Sequence, residues 1–208
     1  MRRVLAEGRA PAAELDAARR ELVELRSHDY RGTAVEESAP LAAFWEKWRG
    51  HYGDSGLRHP RGDRLLTELA LWAMRELRPR LMMINYQDPD YVHWGNATHY
   101  TRAIAVIDQG LERLDAAIAA DPFYRGRTVM VVVPDCGRDA NPLMAVPYQH
   151  HFNSRTAHEI FALFVGAGIA AGRTVATAVD QTSVAATIGA LTSVTVGAEG
   201  RVLSEIAP

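Results

Sequence analysis

The sequence of 208 residues is poor in cysteine, in net charge and in long apolar runs. Its single cysteine, Cys136, excludes an intrachain disulfide, so the chain does not need an oxidising compartment. A formal net charge of -2 gives no electrostatic reason to expect nucleic acid or an anionic membrane as a partner. No apolar run approaches the roughly 20 residues of a membrane span, and no secretory signal is recognisable. These absences predict a cytoplasmic protein.

The composition is that of a globular protein, with 48% hydrophobic and 23% charged residues. A chain of this length can build one domain around a central sheet covered on both faces. We therefore expect a single domain over residues 1–208, with a helical and irregular segment over 1–62 and an α/β core over 63–208.

Short apolar runs alternate with segments of helical spacing along the core. The runs RLMMINY, RTVMVVV and EIFALFV are typical of strands buried on both faces. Helices are predicted before, between and after them, over DRLLTELALWAMREL, from near Thr98 to about Asp121, and over DQTSVAATIGAL. Asp63 is a candidate cap for the first of these three helices. Because strands alternate with helices, the sequence predicts an α/β fold, a mainly parallel central sheet flanked by helices on both faces.

Polar residues with catalytic or metal-binding side chains follow or precede these predicted strands. Ligands of open parallel sheets bind beyond the carboxyl ends of the strands, so we expect the polar residues there to converge. They come from three loops: Asp88, Asp90 and His93; Asp135, Cys136, Arg138 and Asp139; His150, His151 and His158.

Carboxylates and imidazoles together are the ligands that Zn²⁺ and Mn²⁺ use in proteins. Taken one at a time, however, an Asp after a strand is commonly a helix cap or a turn residue. Adjacent histidines in a polar loop are commonly solvated. Position alone leaves the metal site and these structural roles open.

Three stretches resemble the alkaline phosphatase superfamily, which includes sulfatases and nucleotide pyrophosphatase/phosphodiesterases. They are MMINYQDPDYVHWGN, VMVVVPDCGRD and HHFNSRTAHEIFALFVGAGI, in the order that the family has them. The resemblance covers roughly residues 60 to 206 and implies an alkaline phosphatase-like fold. It also implies a metal-dependent hydrolase of phosphate or sulfate esters.

The resemblance implies metal-ligand roles for six residues: Asp88, Asp90, His93, Asp135, His150 and His151. Asp88 and Asp90 are alternatives for one position of the first metal site, and His151 is preferred to His150 for another. The implied cofactor is a divalent metal, zinc in the first place and manganese or calcium as alternatives. Arg138 is a candidate for contacting the anionic ester, or else pairs with Asp139.

The sequence departs from the family at two places. Cys136 stands where the family usually has a histidine, which puts the second metal site in doubt. No strand followed by Asp and a nucleophile precedes RLMMINY. The chain therefore resembles the C-terminal half of such an enzyme, and no nucleophile is assigned.

Two other functions stay open beside the hydrolase. One is a non-catalytic relic that binds a metal or another ligand. The other is a structural or interaction domain, in which Trp45, Trp48 and the N-terminal helix cover a surface that the missing half normally buries. An exposed sheet edge or apolar patch would favour association with a partner chain or a second copy. The expected partners are thus a small anionic ester and a further protein chain, with neither nucleic acid nor membrane among them.

Overall fold

The structure is a computed structural model that describes residues 38–58, 62–92, 96–139, 148–150 and 154–208, and the helical positions Asp16 and Arg20. The side chains of residues 50–58 are outside this description. The chain falls into two compact units, Met1–Lys47 and Trp48–Pro208. The single domain expected from the sequence, with its boundary near residue 62, stays a prediction.

Helices make up most of the regular structure in the described ranges. The α-helices are α1 (Ala39–Arg58), α2 (Asp63–Glu76), α3 (Ala97–Ala120), α4 (Arg155–His158) and α5 (Thr182–Thr192). Two 3-10 helices are η1 (Asp88–Tyr91) and η2 (Ser204–Ile206), and two strands are β1 (Val129–Val132) and β2 (Leu163–Gly166). Helices α2, α3 and α5 lie where the helical spacing predicts helices.

The main apolar core lies between α2 and α3. Its buried members are Ala70, Leu71, Met74, Leu114 and Tyr124. The Tyr124 hydroxyl donates a hydrogen bond of 3.0 Å to the Met74 carbonyl, so this buried phenol is satisfied at the end of α2. Burial raises the pKa of Tyr124.

The prediction of an alkaline phosphatase-like α/β fold, with a mainly parallel central sheet flanked by helices on both faces, is wrong. In the described ranges the only sheet is the pair β1–β2, which is antiparallel, with Val129 opposite Gly166 and Val132 opposite Leu163. A parallel pair needs a crossover of a dozen or more residues, usually a helix. The described part of the connection between β1 and β2 contains only the four residues of α4. The two strands run in opposite directions, so this pair is not the crossover unit of a parallel sheet.

The first predicted strand, RLMMINY, is extended but does not join this sheet. Its burial alternates along residues 81–87. Met82 and Ile84 pack against the core of α2 and α3. Leu81 and Met83 point the other way and are 71% and 92% exposed. The expectation of burial on both faces is wrong here, because the outer face is open to solvent although its side chains are apolar too.

Gly110 of α3 allows a close approach between this extended segment and the two helices. The Thr67 hydroxyl on α2 lies 2.9 Å from the Tyr86 hydroxyl and donates to the Asp63 carbonyl at 3.0 Å. A Cβ atom on Gly110 would lie 2.7 Å from Thr67 Oγ1 and 2.9 Å from the Tyr86 oxygen. Burial raises the pKa of Tyr86, and the negative charge of Asp63 acts in the same direction.

We predict that Gly110→Ala destabilises the protein, although alanine favours a helix over glycine by about 1 kcal/mol. The added methyl group must displace the two hydroxyls, which we expect to cost about 1–3 kcal/mol in the free energy of unfolding. Urea denaturation measures this difference. Gln109→Ala, one residue earlier on an exposed position, should stay within about 0.5 kcal/mol of wild type. A Gly110→Ala variant that is more stable than wild type would contradict the close approach.

Candidate functional site

The carboxylate of Asp63 connects the start of α2 to the end of the extended segment. Asp63 is buried, at 1% exposure. Its two oxygens accept the main-chain N–H groups of Gln87 and Asp88, each at 2.8 Å. The Asp63 N–H donates to Asp88 Oδ1 at 3.3 Å. The expected cap of α2 by Asp63 is wrong, because Gly62 is the N-cap and the carboxylate binds the distant segment instead.

This connection separates the two aspartates that the sequence left as alternatives. The Asp88 carboxylate turns toward α2, where burial raises its pKa and the neighbouring charge of Asp63 raises it further. Asp90, one turn later in η1, has a side chain that is 67% exposed. Of the two, Asp90 is the one that reaches the other candidate residues.

Arg138 is the charged group at the centre of this region. Its side chain is only 9% exposed. Nη1 donates to the Tyr148 carbonyl at 2.9 Å, and Nη2 donates to the Pro89 carbonyl at 3.1 Å and to Asp90 Oδ1 at 3.0 Å. The guanidinium also lies 5.8 Å from the ring centre of Tyr100. One side chain therefore joins η1, the loop after β1 and the segment 148–150.

His150 completes the group of polar side chains around Asp90. Its Nε2 lies 3.5 Å from Asp90 Oδ1, the same oxygen that Arg138 binds. A short antiparallel bridge places it: Asp139 donates its N–H to the Gln149 carbonyl at 2.8 Å, and Tyr148 donates to the Asp139 carbonyl at 2.7 Å. We call Asp90, Arg138 and His150 the Asp90 cluster.

The loop after β1 is held against α4 by its backbone. Gly137 donates its N–H to the Ala157 carbonyl at 2.8 Å, and a Cβ atom on Gly137 would collide with the Thr156 carbonyl oxygen. Asp135 Oδ1 accepts the N–H of Cys136 at 2.9 Å. Burial raises the pKa of the Cys136 thiol, and Asp135 adds to the effect.

The candidate residues are thus distributed unequally. Asp90, Arg138 and His150 meet, Asp88 faces α2, and Asp135 binds the backbone of its own loop. His93 and His151 lie outside the described residues. Among the residues that are described, no three His, Cys, Asp or Glu side chains group closely enough to hold a metal ion. The assignment of the six metal ligands stays a prediction.

Asp90 and His150 nevertheless have the separation that a shared metal requires. With bonds of about 2.0–2.1 Å, two ligand atoms of a tetrahedral zinc lie about 3.3–3.4 Å apart. The 3.5 Å between Asp90 Oδ1 and His150 Nε2 is close to that value. Asp90 Oδ1 and His150 Nε2 therefore fit two of the four ligand positions of a tetrahedral zinc. The positive charge of Arg138, which binds the same Asp90 oxygen, would repel the ion.

The sequence does not reveal two sets of backbone contacts that build this region. Asp63 binds main-chain N–H groups 24 and 25 residues away, and any residue type could provide them. The carbonyls of Pro89 and Tyr148 bind Arg138 in the same way. Side-chain patterns cannot reveal acceptors and donors that belong to the backbone.

No family model matches the chain, and no curated protein or solved structure is significantly similar to it. The resemblance to the alkaline phosphatase superfamily therefore stays a hypothesis that rests on the sequence stretches alone. In the described ranges no helix is both long enough and apolar enough to cross a bilayer.

We predict that Asp63→Ala lowers the free energy of unfolding by about 2–5 kcal/mol, because two backbone N–H groups lose their acceptor. Asp63→Asn keeps one acceptor oxygen and should fall between Asp63→Ala and wild type. Urea denaturation gives the three values. Asp108→Ala, at an exposed position of α3, should change stability by less than about 0.5 kcal/mol. Equal stability of all the variants would show that the Asp63 bonds do not form.

We also predict that Arg138→Ala loosens the bridge that places His150. The amides of Asp139 and Tyr148 should exchange with deuterium at least about tenfold faster, since one lost hydrogen bond is worth roughly that factor. Arg138→Lys should behave similarly, because an ammonium cannot reproduce the planar set of donors. Arg127→Ala, at an exposed turn before β1, is the control. Unchanged exchange in Arg138→Ala would disprove the linking role.

Proposed function

We propose that this chain provides a divalent-metal site for the hydrolysis of phosphate or sulfate esters, with zinc as the first candidate and manganese or calcium as alternatives. The observation that carries the proposal is the Asp90 cluster. In it a carboxylate and an imidazole from separate segments lie 3.5 Å apart, next to a guanidinium. The resemblance to the alkaline phosphatase superfamily supports the same chemistry.

The residues of the cluster have distinct roles in this proposal. Asp90 and His150 hold the ion, and the further ligands are sought at His93 and His151. Arg138 fixes the orientation of the Asp90 carboxylate and adds positive charge beside a small anionic ester. When bound, the metal would supply Lewis-acid chemistry to the ester.

The proposal assigns no nucleophile within the 208 residues. A nucleophile would come from a partner chain or from another segment, and we expect no turnover by these residues alone. The cytoplasmic location stays part of the proposal, since a single cysteine requires no oxidising compartment. Nucleic acids and membranes are not among the proposed partners.

A specific observation favours a second candidate, a non-catalytic ligand- or metal-binding relic. Asp90 Oδ1 already accepts a hydrogen bond from Arg138. A divalent ion on that oxygen would therefore be repelled by the positive charge of a buried guanidinium.

Metal analysis of the purified protein tests the proposal. After equilibration with zinc and removal of unbound metal, plasma emission should find about one zinc per chain, the stoichiometry of a single site. Asp90→Asn and His150→Ala should each lose the zinc. Asp108→Asn and His99→Ala are matched controls at exposed positions of α3 and should keep it. Wild type that retains no zinc, manganese or calcium would rule out the metal site.

Activity assays separate the two candidates and test the missing nucleophile. We expect the zinc-loaded chain alone to hydrolyse neither p-nitrophenyl phosphate nor p-nitrophenyl sulfate. Hydrolysis that EDTA abolishes would support the ester chemistry and contradict the need for a second segment. A chain that binds zinc through Asp90 and His150, but binds no phosphate or sulfate in titration calorimetry, would favour the relic.

A further inference from the structure

Arg138 and His150 share one oxygen of Asp90. Arg138 Nη2 donates to Asp90 Oδ1 at 3.0 Å, and His150 Nε2 lies 3.5 Å from the same atom. A divalent ion held by Asp90 and His150 would therefore lie next to the guanidinium of Arg138. The response of Arg138 to such an ion then decides how tightly the proposed site can bind it.

Contacts other than Asp90 hold the guanidinium of Arg138 in place. Its Nη1 donates to the Tyr148 carbonyl at 2.9 Å, and Nη2 also donates to the Pro89 carbonyl at 3.1 Å. The guanidinium lies 5.8 Å from the ring centre of Tyr100, which stacks on the Tyr148 ring at 5.5 Å. Carbonyls and aromatic rings carry no full charge, so these contacts orient the guanidinium without neutralising it.

The positive charge of Arg138 needs an anionic partner. A guanidinium stays protonated in proteins, and this side chain is only 9% exposed. The Asp90 carboxylate supplies the opposite charge through its hydrogen bond with Nη2. A divalent ion on the same carboxylate oxygen would weaken that bond and repel the guanidinium. A buried charge that loses its partner is strongly destabilising.

A tetrahedral oxyanion, the group that phosphate and sulfate esters share, would compensate for this loss. A guanidinium can donate two parallel hydrogen bonds to such a group. With the ion on Asp90 and the oxyanion on Arg138, each charge would have an opposite charge beside it. Without the oxyanion, the ion and the guanidinium would compete for the Asp90 carboxylate.

We propose that Arg138 couples the binding of the divalent ion to the binding of the oxyanion, so that each ligand strengthens the other. This coupling rests on the proposed metal site and adds its regulation, since the ion binds weakly until the anion gives Arg138 a second partner. Linkage requires the two effects to be equal, and coupled sites typically change each other's affinity by roughly 5- to 150-fold. Metal and ester would then fill the site together.

Zinc affinity in two sodium salts tests the coupling. A chromophoric chelator that competes for zinc gives the dissociation constant of the full chain in sodium sulfate and in sodium nitrate at equal ionic strength, with the chelator calibrated in each salt. We expect wild type to bind zinc at least about fivefold more tightly in sulfate. Titration calorimetry should show that zinc strengthens the binding of sulfate by the same factor.

Two substitutions separate the charge of Arg138 from its hydrogen bonds. Arg138→Lys and Arg138→Gln both lose the planar set of donors, but only Arg138→Lys keeps the positive charge. In nitrate, Arg138→Gln should bind zinc at least about tenfold more tightly than Arg138→Lys, because no like charge faces the ion. Its zinc affinity should agree within about twofold between the two salts, since the coupling is lost. Arg127→Gln, at an exposed turn before β1, is the control and should match wild type.

The outcomes distinguish the coupling from the metal site itself. Wild type that binds zinc with equal affinity in both salts would overturn the coupling and leave the metal site standing. The coupling through Arg138 would also be overturned if it persists in Arg138→Gln, or if Arg138→Gln and Arg138→Lys bind zinc equally well. No zinc on wild type or any variant in either salt would overturn the metal site and the coupling together. The wild-type measurements decide the coupling even if a variant does not fold.

Discussion

The two hydrogen bonds that the Asp63 carboxylate accepts from the backbone N–H groups of Gln87 and Asp88 are the constraint on which this part of the chain depends. They mark the point where the extended segment ends and η1 begins, and they attach that point to the start of α2. Because the carboxylate is buried, its acceptor capacity has to be satisfied inside the protein.

A second constraint acts from the other side through Arg138. A buried guanidinium is costly to desolvate, and here a carboxylate and two carbonyls compensate for that cost. The arrangement gives Asp90 a defined orientation, although its own side chain is largely exposed. Asp63 fixes the backbone of η1, and Arg138 fixes the carboxylate that η1 presents. Together they hold the Asp90 carboxylate in place at the surface. In the described ranges no sheet larger than the β1–β2 pair is there to support it.

The local parts of the fold were predictable, and the non-local parts were not. Helices such as α2 and α3 follow from side-chain spacing within one segment. The apolar run at β1 indicates a strand, but the run cannot reveal that its partner is antiparallel. The expectation that Asp90 and His150 converge agrees with the 3.5 Å between them, but for a different reason. They meet because Arg138 joins their loops, not because parallel strands end at one edge, and no strand propensity contains that information.

The contact of Gly137 with the Thr156 carbonyl has a consequence for finding other sequences that share this loop. A Cβ atom at position 137 would lie 1.9 Å from the Thr156 carbonyl oxygen, so this position has no room for a side chain. A chain that retains the arrangement must therefore carry glycine directly before the arginine, whatever occupies the position of Cys136. A glycine–arginine pair after a short apolar strand is then a more faithful marker of this architecture than the aspartate and cysteine that precede it.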